Sequence, residues 1–136
     1  MAMDLKVLSM ASRFAAHAER RQSLISENVA NADTQAYKAR DLKPFAEVYD
    51  ASTADRSGFV ARATRPGHAG DAVGGAGREF GDPIRLARLG ASSPNGNTVS
   101  LEDQVTRGAE ANLQHQMAMT ILRTSMDILK MGIGRR

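Results

Sequence analysis

The residues able to do chemistry are few and far apart in this chain. His17, His68 and His115 are its three histidines, and none stands at metal-ligand spacing from another histidine or from a carboxylate on the same helix face. Each reads as a packing or surface residue, with His115 placed to donate to a carbonyl of a partner helix. Gly74-Gly75-Ala76-Gly77 has the glycine density of a phosphate cradle. Such a cradle follows a strand, opens a helix and, in the P-loop form, ends in Gly-Lys-Ser/Thr. Here Arg78-Glu79-Phe80-Gly81 follows with no helical pattern behind it, so the run reads as a flexible linker. No serine sits in a nucleophile elbow, and the carboxylates form no pair for acid–base work. There is no cysteine, hence no disulfide framework or thiol chemistry. The expectation is a protein that is not an enzyme, with no catalytic residue, metal or cofactor. Met117, Met119, Met126 and Met131 cluster near the C-terminus, where a methionine-rich helix face is expected to supply adaptable packing.

The elements that carry these residues are two long helical segments at opposite ends of the chain. From about Met3 to Ala32, steps of four and three residues pick out Val7, Ala11, Phe14, Ala18, Arg21, Ile25, Asn28 and Ala32. From Leu101 to Ile133 the same steps pick out Leu101, Val105, Gly108, Asn112, His115, Met119, Leu122, Met126, Leu129 and Ile133. That spacing keeps one face of a helix towards a partner helix. Leu113 and Gln116 complete the expected packing and subunit-interface set. Asp4 is placed to cap the first helix, and Asn31 is expected to close it, because asparagine tolerates the left-handed conformation. Ser100 is the expected N-cap of the last helix, with Glu102 and Asp103 suited to its dipole. Gly132 and Gly134 are expected to stop it, and Gly108 inside it suggests a close backbone approach.

Between the helices the composition changes. Nine of the twelve glycines and three of the four prolines lie between Gly58 and Gly96. Phe45–Tyr49 predicts a short helix and Gly58–Thr64 a short strand, while Ile84–Leu89 fits a second strand with a period that does not separate strand from helix. Gly70–Gly77 has too little apolar surface to offset its ordering entropy, and Asn95-Gly96 predicts a turn with positive φ. The expected fold class is mainly α: long N- and C-terminal helices packed as a coiled-coil-like pair, with a short irregular, β-containing, glycine-rich middle. Residues 1–32 and 98–136 are expected to form one discontinuous helical domain. Residues 33–52 would make a turn and connecting segment, and residues 53–97 a region mobile until assembled.

Bulk properties agree with a small subunit completed by neighbours. The 136 residues are 42% hydrophobic but only 4% aromatic, so alanine and methionine replace the large side chains of a jigsaw core. Both charge signs are interspersed along the whole chain, and the net charge is +3. The pI of about 9.7 therefore reflects a mixed, solvated surface, without the basic stripe and stacking aromatics that nucleic acid requires. No run is long and apolar enough for a membrane span, and no cleavable secretory signal is expected at the N-terminus.

The stretch Glu27-Asn28-Val29-Ala30-Asn31-Ala32-Asp33-Thr34-Gln35-Ala36-Tyr37-Lys38-Ala39-Arg40-Asp41 resembles the signature of flagellar rod and hook proteins, roughly N-[IV]-A-N-x-x-T-P-G-Y-K. Asn28, Val29, Ala30, Asn31, Thr34, Tyr37 and Lys38 carry the match; Gln35 and Ala36 stand where Pro-Gly is usual. Gly96–Glu102, Ala109–Gln116 and Thr64–His68 resemble the proximal-rod members of that family. The resemblance implies a structural subunit exported through the flagellar type III apparatus without signal cleavage. It would polymerise in the periplasm into a helical tube carrying torque from the membrane ring to the hook. Implied partners are copies of itself, other rod proteins, a FliE-type adaptor and the membrane ring, with no nucleic acid and no membrane span. Charges at Leu122 and Leu129 are then expected to block polymerisation. The alternatives from the residues alone are a basic helical nucleic-acid-binding protein and a small regulatory coiled coil. The second does not account for the asparagine-rich turn.

Overall fold

The computed structural model describes residues 2–54, 80, 83–86 and 93–134. The expected strand over residues 58–64 and the glycine run 70–77 lie outside the described residues.

The first helix, α1, runs Ala2–Ala30, a stretch free of glycine and proline, so nothing interrupts its backbone ladder. It begins before Asp4, so that residue stands inside the first turn and not at the expected N-cap position. The closure at the other end also differs from expectation. Asn31 is not left-handed; its amide Nδ2 donates to Glu27 O at 2.8 Å, so a side chain satisfies a terminal carbonyl. Among the described residues, Ala36 is the non-glycine with positive φ, at 57°.

The last helix, α3, runs Leu101–Ile133; at 1.5 Å per residue it is about 50 Å long. Glu102 and Asp103 lie in its first turn, and Asp103 pairs with Arg107 at 2.8 Å. Ser100 holds the N-cap position with extended backbone, but its hydroxyl makes no capping bond. Its carbonyl accepts from Gln104 N at 3.0 Å, which starts the helical ladder. Gly132 is inside the helix and Gly134 caps it at φ −79°, with its N–H donated to Lys130 O at 2.8 Å.

The chain divides into two units: residues 1–40 with 86–136, and residues 41–85. In the second unit, helix α2 (Phe45–Ala54) extends well beyond the expected Phe45–Tyr49. Glu47 suits its first turn, and the Phe45 and Tyr49 rings meet one turn apart at 5.6 Å. Strands β1 (Arg40–Asp41) and β2 (Ile84–Arg85) pair in a minimal sheet. Mainly helical, with a small sheet in the middle, is the fold class read from the sequence.

In the first unit α1 and α3 pack side by side. Asn28 meets Gln104, Gln22 meets Asn112 and Glu19 meets His115. Positions rise on α3 as they fall on α1, so the helices are antiparallel. Ala11, Ala15, Ala18, Leu24 and Ile25 of α1 are buried with Ala111 and Ala118 of α3. Most of this seam is alanine, which lets two helix backbones approach closely. Amides and an imidazole are buried as well: His17, Gln104, Asn28 and Asn97 are all at most 2% exposed.

Candidate assembly site and the junction that positions it

The signature residues build a polar junction at the end of α1. Asn28 uses every hydrogen-bonding position of its amide. Its Nδ2 donates to Arg40 O at 2.7 Å and to Gln104 Oε1 at 2.9 Å. Its Oδ1 accepts from Arg40 N at 3.0 Å and from the Tyr37 hydroxyl at 3.4 Å. Bonding both backbone groups of Arg40 makes the side chain act as a peptide partner, and this fixes which way the amide points. A buried amide with all its bonds made avoids the desolvation penalty of an orphaned one.

Asn97 is the counterpart on the strand of chain entering α3. Its Nδ2 lies 3.0, 2.7 and 2.9 Å from the carbonyl oxygens of Asn31, Ala32 and Thr34. Two amide hydrogens are thus shared among three acceptors just past the end of α1. Its Oδ1 accepts from Val99 N at 2.7 Å. Around it the two segments run together: Ala36 N donates to Asn95 O and Thr98 N to Tyr37 O. Ala39 N donates to Thr98 Oγ1, and Lys38 Nζ to Gly96 O at 2.7 Å.

The turn itself explains the departure at Gln35 and Ala36. Tyr37 N donates to Thr34 O at 3.4 Å, and Ala36 has a φ of 57°, as the third residue of a type II turn does. Alanine therefore occupies the left-handed backbone that glycine adopts without strain, at a cost of roughly 1–2 kcal/mol. Thr34 Oγ1 donates to Asn31 Oδ1 at 3.1 Å. Arg40 pairs with Glu27. Its hydrogen bond with Tyr37, and then the charge of Glu27, raise the guanidinium pKa against the opposing effect of burial. Val29 and Ala30 belong to the same signature but point outward.

The stripe residues divide as well. On α1, Ala11, Ala18 and Ile25 are buried, Phe14 is half-buried and Val7 is exposed. On α3 the seam with α1 runs through Gln104, Gly108, Ala111, His115, Ala118, Leu122, Ser125 and Leu129, each of them buried or half-buried. Gly108, His115, Leu122 and Leu129 were expected there. Leu101, Val105, Asn112, Leu113, Gln116, Met119 and Met126 are exposed. The expected face is thus rotated by a fraction of a turn, because the four–three steps fit equally well starting from Gln104. Small Ala111 and Ala118 fill the close seam, and bulky Met119 and Met126 are left beside it. Gly108 is not forced by a close approach: an added Cβ would meet Ile25 Cγ2 at 3.8 Å, an ordinary contact. His115 Nε2 meets Glu19 Oε1 at 3.3 Å, a carboxylate in place of the expected carbonyl. His17 is buried, and His68 lies outside the described residues.

Outside the seam, α3 is apolar on two further sides. Leu113, Met117, Ile121, Ile128 and Met131 follow each other at helical spacing along one flank, and Leu101, Val105, Met119, Met126 and Ile133 along the other. Each flank lies roughly a quarter to a third of a turn from the seam. Among the described residues no group of three or more His, Cys, Asp or Glu is assembled as a metal site, and no helix is long and apolar enough to cross a membrane.

Sequence reasoning passed over Gln104, Asn97 and Arg40. Asn97 stood within a matching stretch, and Gln104 stands seven residues before Ala111 and fourteen before Ala118. That spacing was the available signal.

Comparison with known proteins decides which family shares this arrangement. Over 111 residues, covering 78% of the chain and 77% of the relative, it is 31% identical to the flagellar basal body rod protein FlgB of Salmonella typhimurium. The chain belongs to the FlgB family. It is also 28% identical over 131 residues to the flagellar basal body rod protein FlgB of Agrobacterium fabrum, across 96% of the chain and 95% of that relative. No protein-family model matches the chain. FlgB membership makes it a structural component of the flagellar basal body rod.

Proposed function

We propose that this subunit polymerises through its terminal helices into the proximal part of the rod, a helical tube in the periplasm that transmits torque from the membrane ring to the hook. The observation that carries this reading is the apolar surface of α3 outside its seam. Ile121 is 38% exposed, Ile128 53% and Met131 68%, although each is a residue that helices ordinarily bury. A helix apolar on several sides is a helix with several neighbours, and α1 covers one side. Copies of the chain and other rod proteins would cover the flanks. A heterologous contact repeated by rotation and rise then generates a tube, and many interlocked helices share the load. Following the family, the subunit leaves the cytoplasm through the flagellar type III apparatus without signal cleavage and meets a FliE-type adaptor at the membrane ring.

The test places charge on a flank and spares the seam. Ile121→Asp with Ile128→Asp should leave the helical circular dichroism of the isolated chain unchanged. It should abolish incorporation into purified basal bodies, because burying an unpaired carboxylate against a neighbour is costly. Normal swimming by cells carrying the double variant would overturn the reading.

A further inference from the structure

The seam between α1 and α3 repeats itself. On α1, Ala11, Ala18 and Ile25 stand seven residues apart, and on α3, Gln104, Ala111, Ala118 and Ser125 do the same. Ala11, Ala18, Ala111 and Ala118 are each at most 1% exposed. Sliding one helix past the other by seven residues, about 10 Å, keeps these small side chains on the seam. Small side chains hold the helices close without choosing among such registers. The pairs Arg21–Glu110, Gln22–Asn112 and His115–Glu19 lie at exposed positions, where water competes and such contacts contribute little.

Two buried amides break the repeat. Gln104 occupies a seam position that Ala111 and Ala118 occupy one and two heptads later, and its Oε1 accepts from Asn28 Nδ2 at 2.9 Å. After a slip in one direction Asn28 would face Ala111, and Gln104 would pass the end of α1. After a slip in the other, Gln104 would face the level of Arg21. Either move leaves one Asn28 donor without its acceptor in a position that is 1% exposed. Asn97 would also lose its three carbonyl partners, since the chain entering α3 moves with the helix. A buried polar contact in a seam made largely of small side chains is a physical means of selecting register.

We propose that the Asn28–Gln104 hydrogen bond, backed by the Asn97 clamp, determines the register in which the terminal helices pair. The alanine seam supplies attraction, and the amides supply the choice.

The absence of cysteine from the chain makes engineered crosslinks unambiguous. Ile25→Cys with Gly108→Cys reports the observed register, because a Gly108 Cβ would stand 3.8 Å from Ile25 Cγ2. Ala18→Cys with Gly108→Cys reports a slip of seven residues. Both pairs are placed in the full-length chain, alone and combined with Gln104→Ala, which completes the alanine repeat, or Gln104→Met, which keeps the volume without the acceptor. Gln104→Glu retains an acceptor for Asn28. With Gln104 or the glutamate, oxidation should give the 25–108 disulfide predominantly. With alanine or methionine, the 18–108 disulfide should rise by about tenfold while circular dichroism stays helical, since one net hydrogen bond is worth about a factor of ten. An unchanged crosslink pattern in folded Gln104→Ala and Gln104→Met chains overturns the proposal. So does loss of helix in both, which would make the contact a source of stability and not of selection.

Discussion

Asn97 shows how much one side chain can hold. It gathers three carbonyls beyond the end of α1 and orients the peptide that enters α3. Replacing it by alanine takes the shared donor from those carbonyls at a position that is 2% exposed. Asn97→Ala should therefore cost about 1–3 kcal/mol of stability, read as a lower midpoint in urea for the isolated chain. Ala36 makes the opposite case. Its φ of 57° is strained for an L-residue and free for glycine, while glycine adds entropy to the unfolded chain. The strain is the larger quantity, so Ala36→Gly should raise stability by up to about 1 kcal/mol. Thermal denaturation checks this, and a lower midpoint would show that the turn is not under strain. Asn28 and Asn31, though three residues apart in one motif, do separate jobs. The first bridges to Arg40 and Gln104, and the second closes its own helix.

At the scale of an element, α3 is a helix with three apolar sides, and its neighbouring residues serve different partners. Leu122 and Leu129 are half-buried on the side of α1, whereas Ile121 and Ile128 point away from it. A charge at Leu122 or Leu129 thus strikes the pairing within the chain before it strikes any polymer. Leu122→Asp with Leu129→Asp should reduce the helical signal of the isolated chain, while Ile121→Asp with Ile128→Asp should preserve it. Equal circular dichroism spectra for the two double variants would contradict this division of faces. The short α2 owes its start to Pro44, whose carbonyl accepts from Val48 N at 3.3 Å. A proline suits this place because the first helical N–H groups need no partner inside the helix.

For the whole molecule, the outward flanks of α3 are methionine, isoleucine, leucine and valine, and both charge signs are spread along the chain. On the proposed reading, self-association would be an apolar process, promoted by salts excluded from protein surfaces and little affected by screening. Light scattering of the purified chain should rise in sulfate and change little between low and moderate sodium chloride. A steep loss of scattering with sodium chloride would point to charge pairing instead. The sequence by itself determined that long helices occupy both ends and that a polar asparagine turn follows the first. The reason is local: helical periodicity, the placement of glycine and proline, and the match of Asn28, Asn31, Thr34 and Tyr37 to a signature are all written in neighbouring residues. Tertiary structure decided which α3 face meets α1. Steps of four and three from Leu101 and from Gln104 are equally regular, and only the close approach of two backbones favours Ala111 and Ala118 over Met119 and Met126. It also brought Asn28 to Gln104 and Asn97 to the end of α1, contacts that join residues more than sixty positions apart and leave no mark in any local pattern.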